Sequence, residues 1–337
     1  MLTGDDIEAL FQPMVGARHL LIAVSGGCDS LALMVLMARW RAARNSGPML
    51  SVAHIDHGLR AASHLEGALV ARAAAQWGLA CLLLRWEGEK PTTRIQERAR
   101  DARYRLLVEG AQALGADGLV TAHHADDQAE TVLQRLAHGS GIGGLAGMAA
   151  QRKHGELMLW RPLLDLRKAS LAEECHAAGL EGVDDPSNRN PAFERARLRH
   201  FASERARLGL TDATLTRLAR RAARAEAALV AATEAFLNTM DIKDGYTGAA
   251  APWGELPEEI MLRALGTVLA GLNHGTSVPL AKLERLALRL QMALTHGEPF
   301  AAALAGCTIR VRAAKRESAA ILSIQRAPPR REKRVLT

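Results

Sequence analysis

The chain has 337 residues, 48% of them hydrophobic and 23% charged, the balance of a globular protein with enough length for one large core or two ordinary ones. A formal net charge of +7 leaves two readings, a basic surface that keeps the protein dissolved or a polyanionic partner such as nucleic acid. Cys28, Cys81, Cys175 and Cys307 are too scattered for a Cys-x-x-Cys zinc, iron–sulfur or redox pair, the acidic start opposes a secretory signal, and the longest apolar run, Leu31–Ala38, is too short to cross a bilayer, so a reduced cytoplasmic setting is expected.

His19–Val24 reads as a buried strand, followed by an apolar helix through Leu31–Trp40. Met49–Ile55 and a helix through His64–Trp77 repeat the pattern, and Ala80–Trp86 adds a third strand. A long helix begins at Thr93, where Thr93–Gln96 has the form of a capping box; Ile95, Ala99, Ala102 and Leu106 form its apolar face. Gly118–Ala122 is the fourth strand, leading to a helix through Ala125–Leu136, and Leu157–Trp160 is a candidate fifth. Strands alternating with helices predict an α/β fold with a doubly wound, mostly parallel sheet.

Beyond about residue 190 the pattern becomes mainly helical. Phe193–Met240 is rich in Arg and Ala, with a break at Gly209 and a new cap at Thr211, and helices follow over Glu258–Leu272 and Leu280–Leu294. Cys307–Arg312 and Ala320–Gln325 read as a terminal strand pair, and the basic tail 328–337 as disordered. The expected division is therefore 1–204, 205–327 and the tail.

The first chemical signal is Ser25-Gly26-Gly27-Cys28-Asp29-Ser30, set between the first strand and its helix. Two glycines let backbone amides approach an anion, the helix N-terminus adds its dipole, and both serine hydroxyls can donate. The loop lacks the Gly-Lys-Ser/Thr of a Walker A motif and the spacing of a Rossmann turn. A tight strand–helix turn is the bland alternative, but the whole string after an apolar strand favours phosphate.

His54-Ile-Asp-His57-Gly-Leu-Arg60 ends the second strand, where ligand-binding loops gather in doubly wound sheets; a polar loop with a helix cap explains any one of these residues equally well. On the long helix, Glu97, Arg100, Arg103 and Tyr104 lie opposite the apolar face, and arginines outnumber acids there. Thr121-Ala-His123-His124-Ala-Asp126-Asp127-Gln-Ala-Glu130 runs from a strand end into a helix, so its histidines share a rim with the loop. Acids in a first helical turn are favoured by the dipole, yet three beside two histidines exceed what capping requires and suit an ammonium group or magnesium. Gly139–Met148 is glycine-rich and reads as a linker or a close approach to a ligand. From Arg195 to Arg224 nine arginines face two acids, Glu204 and Asp212, a stripe suited to phosphate backbone, with Arg217, Arg220 and Arg221 its clearest members.

The Ser-Gly-Gly-x-Asp-Ser string resembles the PP-loop of the ATP pyrophosphatase superfamily, with its adenine nucleotide alpha hydrolase-like fold. Together with HIDHGLR at 54–60, ARDARY at 99–104, the run at 121–148, RPLL at 161–164 and DDPSN at 184–188, it resembles the bacterial tRNA(Ile)-lysidine synthetase family over about residues 18–200. Family members often carry an Arg-Asn pair where this chain has Arg195-Ala196.

The resemblance implies a catalytic ATP-binding domain over 1–204 and a tRNA-binding region over 205–327. The implied reaction adenylates the wobble cytidine of a CAU-anticodon isoleucine tRNA and joins free lysine to it. It implies that Ser25, Gly26, Gly27, Cys28, Asp29 and Ser30 hold ATP, that Arg103 and His123 stabilise the transferring phosphoryl group, and that Asp29, Asp127 and Glu130 hold the lysine ammonium. Substrate contacts fall to His54, His57, Arg60, Arg100, Tyr104, Arg195, Arg217, Arg220 and Arg221, and Mg2+ neutralises the phosphates without an assigned ligand set. A homodimer is compatible with this reading. A tRNA thiolase on the same fold and a catalytically silent RNA-binding protein are the alternatives; the first commonly needs paired cysteines, and intact carboxylates oppose the second.

Overall fold

The computed structural model describes residues 1–58, 63–88, 90, 93, 95–183, 194–273, 275, 278–313 and 319–328. The Thr93 capping box, Arg60, the DDPSN segment, the tail from 329 and the side chain of Arg195 lie outside the described residues.

Two compact units are present, Met1–Ala223 and Arg224–Thr337. The first opens with α1 (Gly4–Phe11), capped reciprocally by Thr3 and Asp6, and a single 3-10 turn. Then follow β1 (His19–Ala23), α2 (Cys28–Ala42), β2 (Met49–Asp56), α3 (Ser63–Gln76), β3 (Ala80–Arg85), α4 (Ile95–Ala113) and β4 (Gly118–Val120). Next come α5 (Ala125–Ala137), the short α6 (Ile142–Leu145), β5 (Gln151–His154), β6 (Leu157–Trp160), α7 (Lys168–Ala177), α8 (Glu194–His200), α9 (Ala202–Arg207) and the first turns of α10 (Asp212–Leu237).

The sheet order is β3-β2-β1-β4-β6-β5. All neighbours are parallel except β5, which pairs antiparallel with β6 at the edge. The doubly wound, mostly parallel sheet is thus as expected, with an added edge strand. Apolar β1 lies at its centre, and Leu20, Leu21 and Ile22 are fully buried. Strand order reverses between β1 and β4, and the crevice beyond their carboxyl ends is where such folds bind ligands.

Helix α2 is apolar on every side, as a helix covered by packed elements must be. Its residues Leu31, Leu33, Met34, Leu36 and Trp40 join Phe11 of α1 and Leu171 of α7 in the main core. The unit reaches beyond residue 204 because Leu215 and Ala219 of α10 pack on Ala129 and Val132 of α5.

In the second unit β7 (Tyr246–Ala249), α11 (Ala251–Gly254), α12 (Glu258–Leu272), α13 (Leu280–His296), β8 (Phe300–Leu304), β9 (Cys307–Arg312) and β10 (Ile321–Arg326) follow α10. The strands form an antiparallel sheet in the order β7-β10-β9-β8. Trp253, Leu265, Leu290, Ile309 and Ile324 form its buried centre beneath the helices. Among the described residues no helix is long and apolar enough to cross a membrane.

Candidate active site

The PP-loop string turns between β1 and α2 on two serine hydroxyls. Ser30 Oγ donates to the Gly27 carbonyl at 2.9 Å and accepts from the Ser25 amide at 3.1 Å, while Ser25 Oγ lies 3.2 Å from Ser30 Oγ. Gly26 has φ of +91°, which disfavours any side chain, whereas Gly27 sits at −75° as the N-cap of α2. A Cβ on Gly27 would meet only ordinary contacts within the protein. Its lack of a side chain leaves room on the cavity side instead.

A segment after α7 buttresses the loop. The Val183 amide donates to the Gly26 carbonyl at 2.9 Å. A Cβ on Gly182 would lie 2.3 Å from the Cys28 amide nitrogen, so this backbone touches the loop itself. The sequence carried no signal for this contact except an unexplained glycine.

Before the loop opens a cavity of about 440 Å³. Ser25, Gly27, Asp29 and Ser30 of the loop line it, and so do the polar side chains of His57, Glu66, Arg103, Thr121, His123, His124, Asp127, Lys168 and Arg199. The ends of β1, β2 and β4 and the starts of α2 and α5 therefore converge here, at the topological switch point.

His124 is the electrostatic centre of the acidic side. It is 3% exposed, and its ring lies 3.5 Å from Asp29 Oδ2, 3.5 Å from Asp126 Oδ2 and 3.4 Å from Asp127 Oδ2. Burial opposes the charge, but Asp126, Asp29 and Asp127 together raise the imidazole to about 10. The same contact with His124 lowers Asp126 to about 2. The fixed imidazolium gathers the carboxylates at the start of α5, and the Asp127 carboxylate also accepts the His124 amide at 3.2 Å. Asp29 Oδ1 is buried without a hydrogen-bond partner among the described residues.

Asp127 and Glu130 part company. Glu130, 3% exposed, is held by a two-point ion pair with Arg199 of α8, Nη2 to Oε2 at 3.2 Å, and is not among the side chains lining the cavity. Arg199 does line it and comes within 3.6 Å of Asp127 Oδ1. Arg199, Lys168 and Glu66 line the cavity but were not singled out from sequence, where the first was only one of nine arginines.

The histidines after β2 also divide. His54, 2% exposed, has Nδ1 2.9 Å from the Val24 carbonyl and braces the strand that precedes the loop from behind. His57 lines the cavity, where burial, and then Arg103 and His54, lower it to about 4. Its ring is neutral at neutral pH, and Nδ1 is buried without a partner among the described residues. His123 is oriented by Thr121, whose Oγ1 is 2.9 Å from Nδ1.

Arg100 and Tyr104 lie beside Arg103 but outside the cavity lining, with the Arg100 and Arg103 guanidinium carbons 5.2 and 5.5 Å from the Tyr104 ring centre. Arg217, Arg220 and Arg221 are exposed on α10, Arg220 within 3.2 Å of Asp165. The glycine-rich 139–148 segment is a clamped turn: Gln128 exchanges hydrogen bonds with both the amide and the carbonyl of Met148, and Arg135 donates to the Gly144 and Gly147 carbonyls.

Known proteins resemble this chain in sequence and in fold. The signature of the PP-loop domain matches residues 3–205. Curated relatives called tRNA(Ile)-lysidine synthase match along nearly their whole length. The one from Rhodopseudomonas palustris is 44% identical, covering 98% of this chain and 99% of that one. Those from Bradyrhizobium sp. strain BTAi1 and Methylobacterium sp. strain 4-46 are 42% and 45% identical, each covering 98% of this chain and 96% of its own. Among solved structures, the U34-tRNA thiolase NcsA from Methanococcus maripaludis, with its [4Fe-4S] cluster, superposes with a TM-score of 0.54 at 15% identity, over 64% of this chain and 78% of that one, a likeness of fold.

Proposed function

Because the chain belongs to the tRNA(Ile)-lysidine synthase family of PP-loop enzymes, which use ATP to modify tRNA, we propose that it joins free lysine to C2 of the wobble cytidine in a CAU anticodon. The observation that carries this reading is one cavity in which the phosphate loop faces a carboxylate cluster built around His124.

In the first step the cytosine C2 oxygen attacks the α-phosphate of ATP and pyrophosphate leaves. The amides at the start of α2, with Ser25, Gly27 and Ser30, cradle the polyphosphate, and Arg103 and His123 face the charge that builds on the α-phosphoryl oxygens. In the second step the lysine ε-amine attacks C2, and AMP leaves with the original oxygen. Asp127, with Asp29 beside it, orients the incoming ammonium, and Asp127 draws off its proton, with Arg199 3.6 Å from Asp127 Oδ1. His57, neutral, offers a ring nitrogen for the base or sugar.

A magnesium ion fits this donor set at Asp29, whose buried Oδ1 lacks a partner; one carboxylate with phosphate oxygens suffices for that ion, and the described residues hold no cluster of three metal-binding side chains. There it would supply positive charge to the departing pyrophosphate.

The test is incubation with ATP, CAU-anticodon tRNA and isotopically labelled lysine, followed by nucleoside mass analysis. A labelled lysine-bearing cytidine is expected. Pyrophosphate release without label in the nucleoside would overturn the lysine assignment, and release of neither would overturn the activity.

A further inference from the structure

Beside Arg103 and outside the cavity lining, positive charge is concentrated without a matching acid among the described residues. Arg161, directly after β6, is 5% exposed; its Nη1 donates to the Ala149 carbonyl at 2.8 Å, yet its Nε is buried without a partner among the described residues. Arg152 stands in register opposite Leu159, two residues before Arg161, and the Arg100 guanidinium lies over the Tyr104 ring; burial, and then Arg152 and Arg100, disfavour the Arg161 charge, which Tyr104 favours. The His154 ring stands 5.3 Å from that of Tyr104. Among the described residues, Arg100, Arg152 and Arg161 make no ion pair with a carboxylate.

A guanidinium does not release its proton at cellular pH, so crowding three of them carries a standing repulsive cost. Edge-strand protection would account for a charged residue such as Arg152 on β5, but not for the buried Arg161 or for Arg100 on α4. An anion accounts for all three. The planar forks suit phosphate oxygens, and Tyr104 with His154 adds an aromatic surface against which a nucleotide can rest.

We propose that Arg100, Arg152 and Arg161, with Tyr104 and His154, form a subsite for a backbone phosphodiester of the RNA substrate, distinct from the nucleotide loop. This rests on the reading of the substrate as tRNA. Arg103 belongs to both surfaces, so a phosphate seated here would hold the RNA strand where an adjacent base can enter the cavity.

The test compares full-length wild type, the exposed double variant Arg100→Gln/Arg152→Gln and the charge-preserving Arg100→Lys/Arg152→Lys, binding an unmodified CAU-anticodon tRNA transcript at several salt concentrations. Arg161→Gln is a second probe that need not be relied on if it folds poorly. The Gln pair should weaken RNA binding about tenfold at low salt and make the log–log salt slope shallower by roughly one, the Lys pair should restore most of both, and ATP affinity should hold. Unchanged RNA affinity and slope in the folded Gln pair would overturn the subsite. Inorganic phosphate binding to wild type but not to the Gln pair, with RNA affinity and slope the same in both, would assign the site to the free ion and overturn it as well. Patch-dependent RNA binding with no lysine-bearing product would sink the catalytic reading and leave the subsite standing; normal product with unchanged binding by the Gln pair would do the reverse.

Discussion

Three carboxylates converge on the His124 ring, and without that ring they would face one another. His124→Gln should cost about 2–3 kcal/mol, below the ~3–5 kcal/mol for breaking a fully buried pair, because the Asp29 and Asp126 side chains are 29% and 36% exposed. The pH dependence has a definite sign. His124 is raised from 6.5 to about 10, so its stabilisation is complete below pH 6.5 and is lost as the pH rises through 10. Asp126, lowered from 3.8 to about 2, stabilises above pH 3.8 and ceases to as the pH falls through 2. Melting curves of wild type and His124→Gln should therefore differ most near pH 4–6 and approach each other near pH 10; a constant offset would refute a charged imidazole. A second pair of variants separates the α5 acids. Asp127→Asn should keep tRNA-dependent pyrophosphate release while lowering lysine incorporation by roughly two orders of magnitude. Glu130→Gln, which frees Arg199, should instead lower both and the melting temperature; equal effects of the two variants would return Glu130 to the lysine pocket. The three-residue spacing made their common face legible, but not the arrival of Arg199 from α8, because a distant chain segment leaves no local mark.

At the level of elements, the loop depends on a neighbour as much as on its own glycines. Gly182→Ala would push a methyl onto the Cys28 backbone, so the loop must shift while β1 and α2 stay packed. ATP affinity should fall at least tenfold, with far-UV circular dichroism unchanged; undiminished affinity would show that the loop tolerates displacement. The central strands and α2 were readable because buried parallel strands and an all-apolar helix write themselves as apolar runs. Strand β5, Gln-Arg-Lys-His, is an exposed edge with no alternation to read. Strand β8, Phe-Ala-Ala-Ala-Leu, has helical propensity and is extended only because it pairs with β9.

For the molecule as a whole, the arginine stripe is less uniform than its composition suggests. Arg199 serves Glu130, Arg205 pairs with Asp212, and Arg220 approaches Asp165, leaving Arg217, Arg221 and Arg224 exposed on α10. Net charge over a segment is legible in sequence; which charges are already answered within the fold is not. Neutralising Arg217, Arg220 and Arg221 together should make the tRNA salt slope shallower by about 1.5–2 and leave ATP binding unchanged. An unaltered slope would assign the stripe to solvation.

Helix α2 begins at the phosphate loop and has ten of its fifteen residues buried, eight of them in the main core. Occupancy of the loop and integrity of the core are therefore thermodynamically linked. A nucleotide at a hundred times its dissociation constant adds about 2.7 kcal/mol to the folded state. The amides that then exchange their hydrogens more slowly would lie not only in the loop but along α2 and β1, so that the deepest part of the protein reports the occupancy of its surface.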